Sequence, residues 1–368
     1  MNRSIGYWIW IFTFLIVGMG LVTLYSAAHL NVRVSHKVFY DQLACAILGF
    51  ILMLLLSRID YRKFYDIAYV VYGLNVILLF MVLAGGRHAL GAQRWIEIGG
   101  LSVQPSEFSK LAIILALGRY FSEHKPKLSF NLGSTTHVLL GDLLLPLIIV
   151  GFPMLLIFKQ PDLGTAIVFL GIFMIMLFAS GIHYHYFIGF IVLCLITMPF
   201  TWHILKPYQQ DRLLVFLNPN LDPLGAGYTI IQSKIAIGSG LLFGKGWLAG
   251  TQNQLNFLPE RHTDFIFAVI GEEWGLAGTL FLLGCYFGLV YCGLKIAGQV
   301  KDKFGTQVAI GIVGILAIQV VINMGMTLGL CPVVGITLPL VSYGRSSFMV
   351  FIVMMGFLLN LSTKRTVF

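Results

Sequence analysis

The sequence predicts an all-α membrane protein: a polytopic bundle of about ten transmembrane helices with a long extracytoplasmic loop. Three observations carry this. Apolar residues occupy 58% of the 368 positions. Charged residues occupy 11%, against about 25% in an ordinary soluble domain. Apolar runs recur at the length of about 20 residues that a bilayer core requires. With a mean hydropathy of +0.88, too few charges remain to cover a water-facing surface. That excludes a cytosolic enzyme, a disordered chain and a disulfide-built secreted domain. The 40 glycines suit close-packed membrane helices.

In chain order the predicted spans are 5–27, 38–56, 66–84, 106–121, 139–158, 162–180, 186–204, 264–294, 306–330 and 345–361. The first resembles a signal peptide, with Arg3 ahead of it and Ser26-Ala27-Ala28 imitating a cleavage site. Its apolar run exceeds the usual 7–15 residues, so it reads as an uncleaved anchor. The fourth is short, and its start is marked by Glu107 and Lys110. Between the third and fourth spans lies a polar, glycine-rich segment, 85–107. The segment 205–263 is too long for a simple connector. Within it, Tyr228, Ile231 and Ile235 share a helical face, which predicts a short interfacial helix. The whole chain, 1–368, reads as a single domain. The five cysteines are odd in number and lack a CxxC pair, so they read as packing residues.

Ten spans place both termini on one side. If that side is the cytoplasm, its short segments carry twelve Lys and Arg, against seven on the outer side. The positive-inside rule therefore predicts a multi-pass membrane protein with both termini cytoplasmic. The net charge of +9 is read as contact with anionic membrane lipids. No basic run is interleaved with aromatics, so no nucleic-acid partner is expected.

Ionisable residues at membrane depth are costly, which makes each a functional candidate. Under this topology Glu107, Lys110, Asp162 and Asp264 lie at the outer face, with Arg94, Arg212, Lys245 and Arg261 in adjoining loops. Cations gathered with a few carboxylates suit a phosphate-bearing substrate that needs a base. Structural readings stand beside these. Glu107 and Lys110 form an i,i+3 ion pair in one alternative, and Asp162 caps the helix at Leu163-Gly164-Thr165 in another. Glu272 and Glu273 have the alternative of binding a polar group on a neighbouring helix. His262 with Asp264 is too small a set to define a metal site.

The run Asp222–Gly278, containing QSKIAIGSG and FLPERHTDFIFA, closely resembles the SEDS family, in particular its elongation-type branch. GAQRW at 91–95, QPSE at 104–107, QPDLGT at 160–165 and PLVSYG at 339–344 follow the family order. The resemblance spans nearly the whole chain and implies ten transmembrane helices. It also implies a peptidoglycan glycosyltransferase that polymerises lipid II on the outer face of the membrane. It places the protein in the bacterial cytoplasmic (inner) membrane and maps the catalytic aspartate to Asp264 and polar cavity residues to Arg94, Glu107, Lys110 and Asp162. Lys245 and Arg261 are further substrate-binding candidates from their predicted place at the outer face. A class B penicillin-binding protein as partner and a divalent cation (Mg or Mn) as cofactor are implied as well; the sequence offers no metal motif. A lipid II flippase and a division-type polymerase are the alternatives. The chain departs from the family at Arg345, where glycine is usual. Binding the pyrophosphate or reaching lipid headgroups are both open to that side chain.

The chemistry needs no second carboxylate. A pyrophosphate leaves once its charge is neutralised, and the attacking sugar hydroxyl needs one base. Paired carboxylates of the glycosidase kind serve to protonate a poorer leaving group.

Overall fold

A computed structural model describes residues 3–29, 32–89, 92–98, 101–124, 135–182, 188–189, 192, 196, 205, 207–225 and 227–363. The helices are α1 (Arg3–Ala28), α2 (Val32–Arg58), α3 (Arg62–Gly85), α4 (Pro105–Glu123), α5 (Thr135–Lys159) and α6 (Leu163–Ala179). After them come α7 (Pro207–Leu217), α8 (Tyr228–Ser239), the single turn α9 (Thr251–Gln254), α10 (Ile266–Gln299), α11 (Lys303–Leu328) and α12 (Arg345–Thr363). Nine of the ten predicted spans are helices within a few residues of their expected ends. The seventh, 186–204, lies almost wholly outside the described residues, as do His183 and His185.

Among the described residues, six helices are long and apolar enough to cross a membrane, and two shorter apolar helices, Leu143–Lys159 and Leu163–Ala179, accompany them. Helix α4 is central. It packs on α3 and α11 and touches α5, α6 and α12. Its residues from Ser109 to Phe121 are buried almost without break, Lys110 included. Around it, α2 pairs with α12, α1 with α10, and α10 with α11. Lipid-facing helices such as α2 and α3 keep rows of exposed leucine, isoleucine and valine, as a chain solvated by hydrocarbon should.

The polar segment after α3 folds into a small antiparallel sheet that the sequence reading did not foresee. Its strands are β1 (Arg87–Ala89), β2 (Ala92–Ile98) and β3 (Leu101–Val103), in that order. Ala89 pairs with Ala92, and Ile98 with Leu101. Strand β2 lies against α3 and α4.

The 205–263 segment is built of α7, a 3₁₀ turn at Pro219–Leu221, α8, α9 and tight turns. Helix α8 exists as expected, but its buried face is Ile230, Ser233 and Ala236, packed on α10 and α11. Ser233 fixes it by donating to the Thr327 carbonyl at 2.7 Å. Ile235 points outward, 46% exposed. The helix thus sets one face on the protein and leaves Lys234 and Ile235 exposed on the other. Ile230→Asp puts a charge on the protein face, where Ile230 is 2% exposed. It is expected to destabilise the fold by on the order of 3 kcal/mol or more, read as a fall in the thermal midpoint of the purified protein. Ile235→Asp should cost far less.

Candidate active site

Asp264 sits in a turn just ahead of α10, which begins at Ile266. The turn wraps around Glu260, whose carbonyl accepts from the backbone N–H of Thr263 (3.1 Å) and Phe265 (3.3 Å). Glu260 takes a left-handed backbone conformation to do so, with φ of +47°. The turn is bolted to the bundle by Asn323 of α11, which donates both to the Asp264 carbonyl (2.9 Å) and to the Ile336 carbonyl (2.7 Å).

That second bond introduces the element that assembles the site, the segment 330–344 between α11 and α12. The Asp264 carboxylate lies over Gly335, whose φ of +72° and missing side chain leave room beside it. Val334 brings its carbonyl against Gly164, in the first turn of α6. The Val333 carbonyl accepts from Arg212 of α7 at 3.2 Å. Further along, Tyr343 N–H donates to the His262 carbonyl at 2.8 Å, and Ser346 Oγ accepts from Gln104 N–H at 3.0 Å, one residue before α4. The segment therefore touches the Asp264 turn, the α6 start and α7, and α12, which follows it directly, reaches the approach to α4 through Ser346.

Asp162 is the N-cap of α6. Its carboxylate accepts from Thr165 N–H (3.3 Å) and Thr165 Oγ1 (2.9 Å). The capping role foreseen from the sequence is thus real, and a second contact accompanies it. Arg94 of β2 approaches Asp162 at 3.8 Å and donates to the carbonyls of Gln160 (3.3 Å) and Pro161. Strand β2 thereby aims a guanidinium at the start of α6.

Electrostatically, Asp264, Glu260, Asp162, Arg212 and Arg94 form one group. Burial pushes the Asp264 carboxyl up to about 7, Glu260 and Asp162 push in the same direction, and Arg212 and Arg94 pull it down. Burial holds His262 below its usual range, so beside the aspartate it is a neutral imidazole.

The remaining candidates are placed elsewhere. Glu107 and Lys110 form a buried ion pair of 2.7 Å on α4, with the Lys110 side chain 1% exposed. Arg261 donates to the Ala27 carbonyl at the end of α1 (2.7 Å) and to Asn256 Oδ1, so it clamps the loop to α1. Lys245 pairs with Glu272 at 2.8 Å, apart from the charges that surround Asp264. Arg345 pairs with Asp41 of α2, and its guanidinium also bonds Tyr343. An apolar groove of about 570 Å³ between α1 and α10, lined by Phe14, Met19, Phe243, Trp274 and Phe281 among others, contains no ionisable residue and is separate from this site.

The family model described as "Cell cycle protein" (FTSW_RODA_SPOVE) matches residues 7–367. The chain belongs to this family. Peptidoglycan glycosyltransferase MrdB of Escherichia coli (strain K12) is 43% identical over 321 residues, covering 86% of this chain and 84% of the relative. Peptidoglycan glycosyltransferase RodA of Treponema pallidum is 32% identical, covering 95% of each chain. A solved structure described as "Structural coordination of polymerization and crosslinking by a peptidoglycan synthase complex" matches with a TM-score of 0.80 and 33% identity, covering 96% of each chain. The Thermus thermophilus rod shape determining protein RodA matches with a TM-score of 0.71 and 29% identity, covering 98% of this chain and 97% of that one. A multi-pass membrane protein of the RodA type accounts for the fold.

In the sequence Arg212 is a nearby loop cation with no evident role, Glu260 has none, and PLVSYG is a family mark only. The signal available there is the spacing of Glu260 and Asp264, four residues apart. The contact of Arg212 with Val333, 121 positions away, left no trace in the sequence.

Proposed function

We infer that the chain is a peptidoglycan glycosyltransferase whose site polymerises lipid II, the undecaprenyl-pyrophosphate-linked disaccharide peptide, during cell elongation and shape maintenance. The observation that carries this is a half-buried carboxylate, Asp264, held within the influence of two arginines, in a chain of this family. Asp264 is the base: it accepts the proton of the attacking sugar hydroxyl as the new glycosidic bond forms. Arg94 and Arg212 stabilise the charge that collects on the departing pyrophosphate. Asp162 holds Arg94 in place while capping α6. Purified protein given lipid II should produce glycan strands. Lipid movement across vesicles without strands would instead establish the flippase.

A divalent cation fits this donor set. Among the described residues no cluster of three or more ligating side chains exists. Mg²⁺, however, commonly takes one or two carboxylates and completes its shell with substrate phosphates. Glu260 or Asp162 would hold it, leaving Asp264 free as the base, and when bound it would neutralise pyrophosphate charge.

A base near 7 gives a definite pH dependence. Asp264 works only as the carboxylate, so turnover should rise through a limb centred at about pH 7. Glu260→Gln removes a like charge and should move that limb to lower pH. Arg212→Gln removes a cation and should move it higher. A limb that stays in place in both variants would show that Asp264 is not the titrating group.

The site is taken to face outward, with both termini cytoplasmic. In a background freed of native cysteines, Asn220→Cys should react with an impermeant thiol reagent on intact cells, and Lys301→Cys should not. The reverse pattern would invert the topology and place the site on the wrong side for lipid II. The described match to a complex that both polymerises and crosslinks supports a class B penicillin-binding protein as the partner.

A further inference from the structure

Helix α10 is broken. Gly275 has φ of +65° and ψ of −159°, which divides the helix into a half-helix, 266–274, and the long span 276–299. An unbroken helix would bond the N–H of residues 276 and 277 to the carbonyls of 272 and 273. Here those four groups bond to another segment. Leu276 N–H donates to the Leu241 carbonyl (2.9 Å) and Ala277 N–H to the Leu242 carbonyl (3.0 Å). The Glu272 carbonyl accepts from Lys245 N–H (3.0 Å) and the Glu273 carbonyl from Gly246 N–H (3.1 Å). The segment 241–246 fills the gap group for group, so these four backbone groups all find partners away from water.

Side chains repeat the connection. The Glu272 carboxylate, 0% exposed, accepts from Lys245 Nζ (2.8 Å), Thr251 Oγ1 (3.1 Å), Gln252 N–H (2.9 Å) and Asn253 N–H (3.3 Å). Beside it, Glu273 accepts from Asn253 Nδ2 (3.2 Å) and from Ser26 of α1. The half-helix therefore has Asp264 just ahead of one end and, at the other, is tied to the segment 240–254 instead of running on into the span. Nine residues at about 1.5 Å each make a rigid lever of roughly 13 Å between the two ends.

We propose that the segment 240–254 sets the position of Asp264 through this half-helix, with Glu272 and Lys245 as positioning residues for polymerisation. This rests on the glycosyltransferase reading above. It gives Lys245 a structural partner in place of the substrate, and it gives buried Glu272 a task. A displacement of about 1 Å in a positioned group can lower turnover by about 10²-fold, so loosening the far end of the lever acts at the near end.

The test compares Glu272→Gln, Lys245→Met, their double variant and Lys245→Arg in the purified full-length protein, with lipid II as substrate. Glu272→Gln and Lys245→Met should each lower turnover by up to about 10²-fold while KM stays within about twofold. The double variant should be no worse than the poorer single, because both break one contact. Lys245→Arg should retain most of the activity. Hydrogen exchange without substrate supplies an arm independent of catalysis: amides 265–274 should exchange faster in Glu272→Gln and in Lys245→Met than in the unmodified protein. Unchanged turnover in both single variants overturns the proposal. A raised KM at unchanged turnover in Lys245→Met alone also overturns it, and returns Lys245 to the substrate. Unchanged exchange overturns it even if the protein proves to make no glycan, an outcome that would remove the enzymatic reading separately.

Discussion

Asp264→Asn should insert and fold normally, yet lose polymerisation by about 10²–10⁴-fold, the usual cost of a positioned base. Asparagine keeps the size of the side chain and can still lie over Gly335, but it cannot take a proton from the acceptor sugar. Stability should not suffer. The Asp264 carboxyl titrates at about 7 in the fold, raised from 3.8, with burial as the largest cause. For a carboxyl with a raised value, the cost of ionising it inside the fold begins above its unfolded value and is complete above its folded one. At pH 8 the native protein therefore bears that cost in full, and the asparagine variant bears none. The variant should be at least as stable as the native chain at pH 8 and should lose this advantage as the pH falls toward 4. The assay is strand formation from lipid II beside thermal denaturation at both pH values. Activity within tenfold of native would remove Asp264 as the base. A variant both inactive and less stable at pH 8 would mean that the carboxylate is needed to hold the turn.

The sequence revealed most of the spans and little of the site's assembly, for one physical reason. A bilayer imposes length and hydropathy on each helix separately, so nine helices could be read from local composition. The sheet at 87–103 obeys a different rule. Its seven-residue strand AQRWIEI and the Gly99-Gly100 pair before β3 are a hairpin signal, but a polar stretch between membrane helices was read only as a loop. The break at Gly275 was hidden inside the predicted span 264–294, where the neighbouring Glu272-Glu273 pair was read only as contacting a polar group on another helix. Arg94, Asp162 and Asp264 were candidates twice over, as ionisable residues at the predicted outer face and through a family pattern. Lys245 and Arg261 were grouped with them by sidedness alone, and the fold gives them Glu272 and Ala27 as partners instead. What brings the true neighbours together is the segment 330–344, whose contacts with Gly164 and Arg212 span 170 and 121 residues.

Glu107 and Lys110 are the pair for which sequence left two readings, and variants separate them. Both side chains are almost fully buried, 2.7 Å apart, and the second Glu107 oxygen, Oε2, has no partner among the described residues. Lys110→Met leaves a carboxylate buried in the bundle without its counter-ion, and breaking such a pair from one side typically costs 3–5 kcal/mol, so a loss of about that size is expected. Glu107→Gln leaves the ammonium in the same position and should cost a similar amount. The double variant, Glu107→Gln with Lys110→Met, removes both charges and nearly conserves volume, so most of the stability should return. Activity then decides the role. If the pair only fastens the first turns of α4, polymerisation should recover along with stability. If Lys110 also meets the pyrophosphate, the double variant should be stable and still slow, with KM for lipid II raised. A double variant as unstable as the singles would contradict the ion-pair account itself, because no unpaired charge would remain to explain the loss.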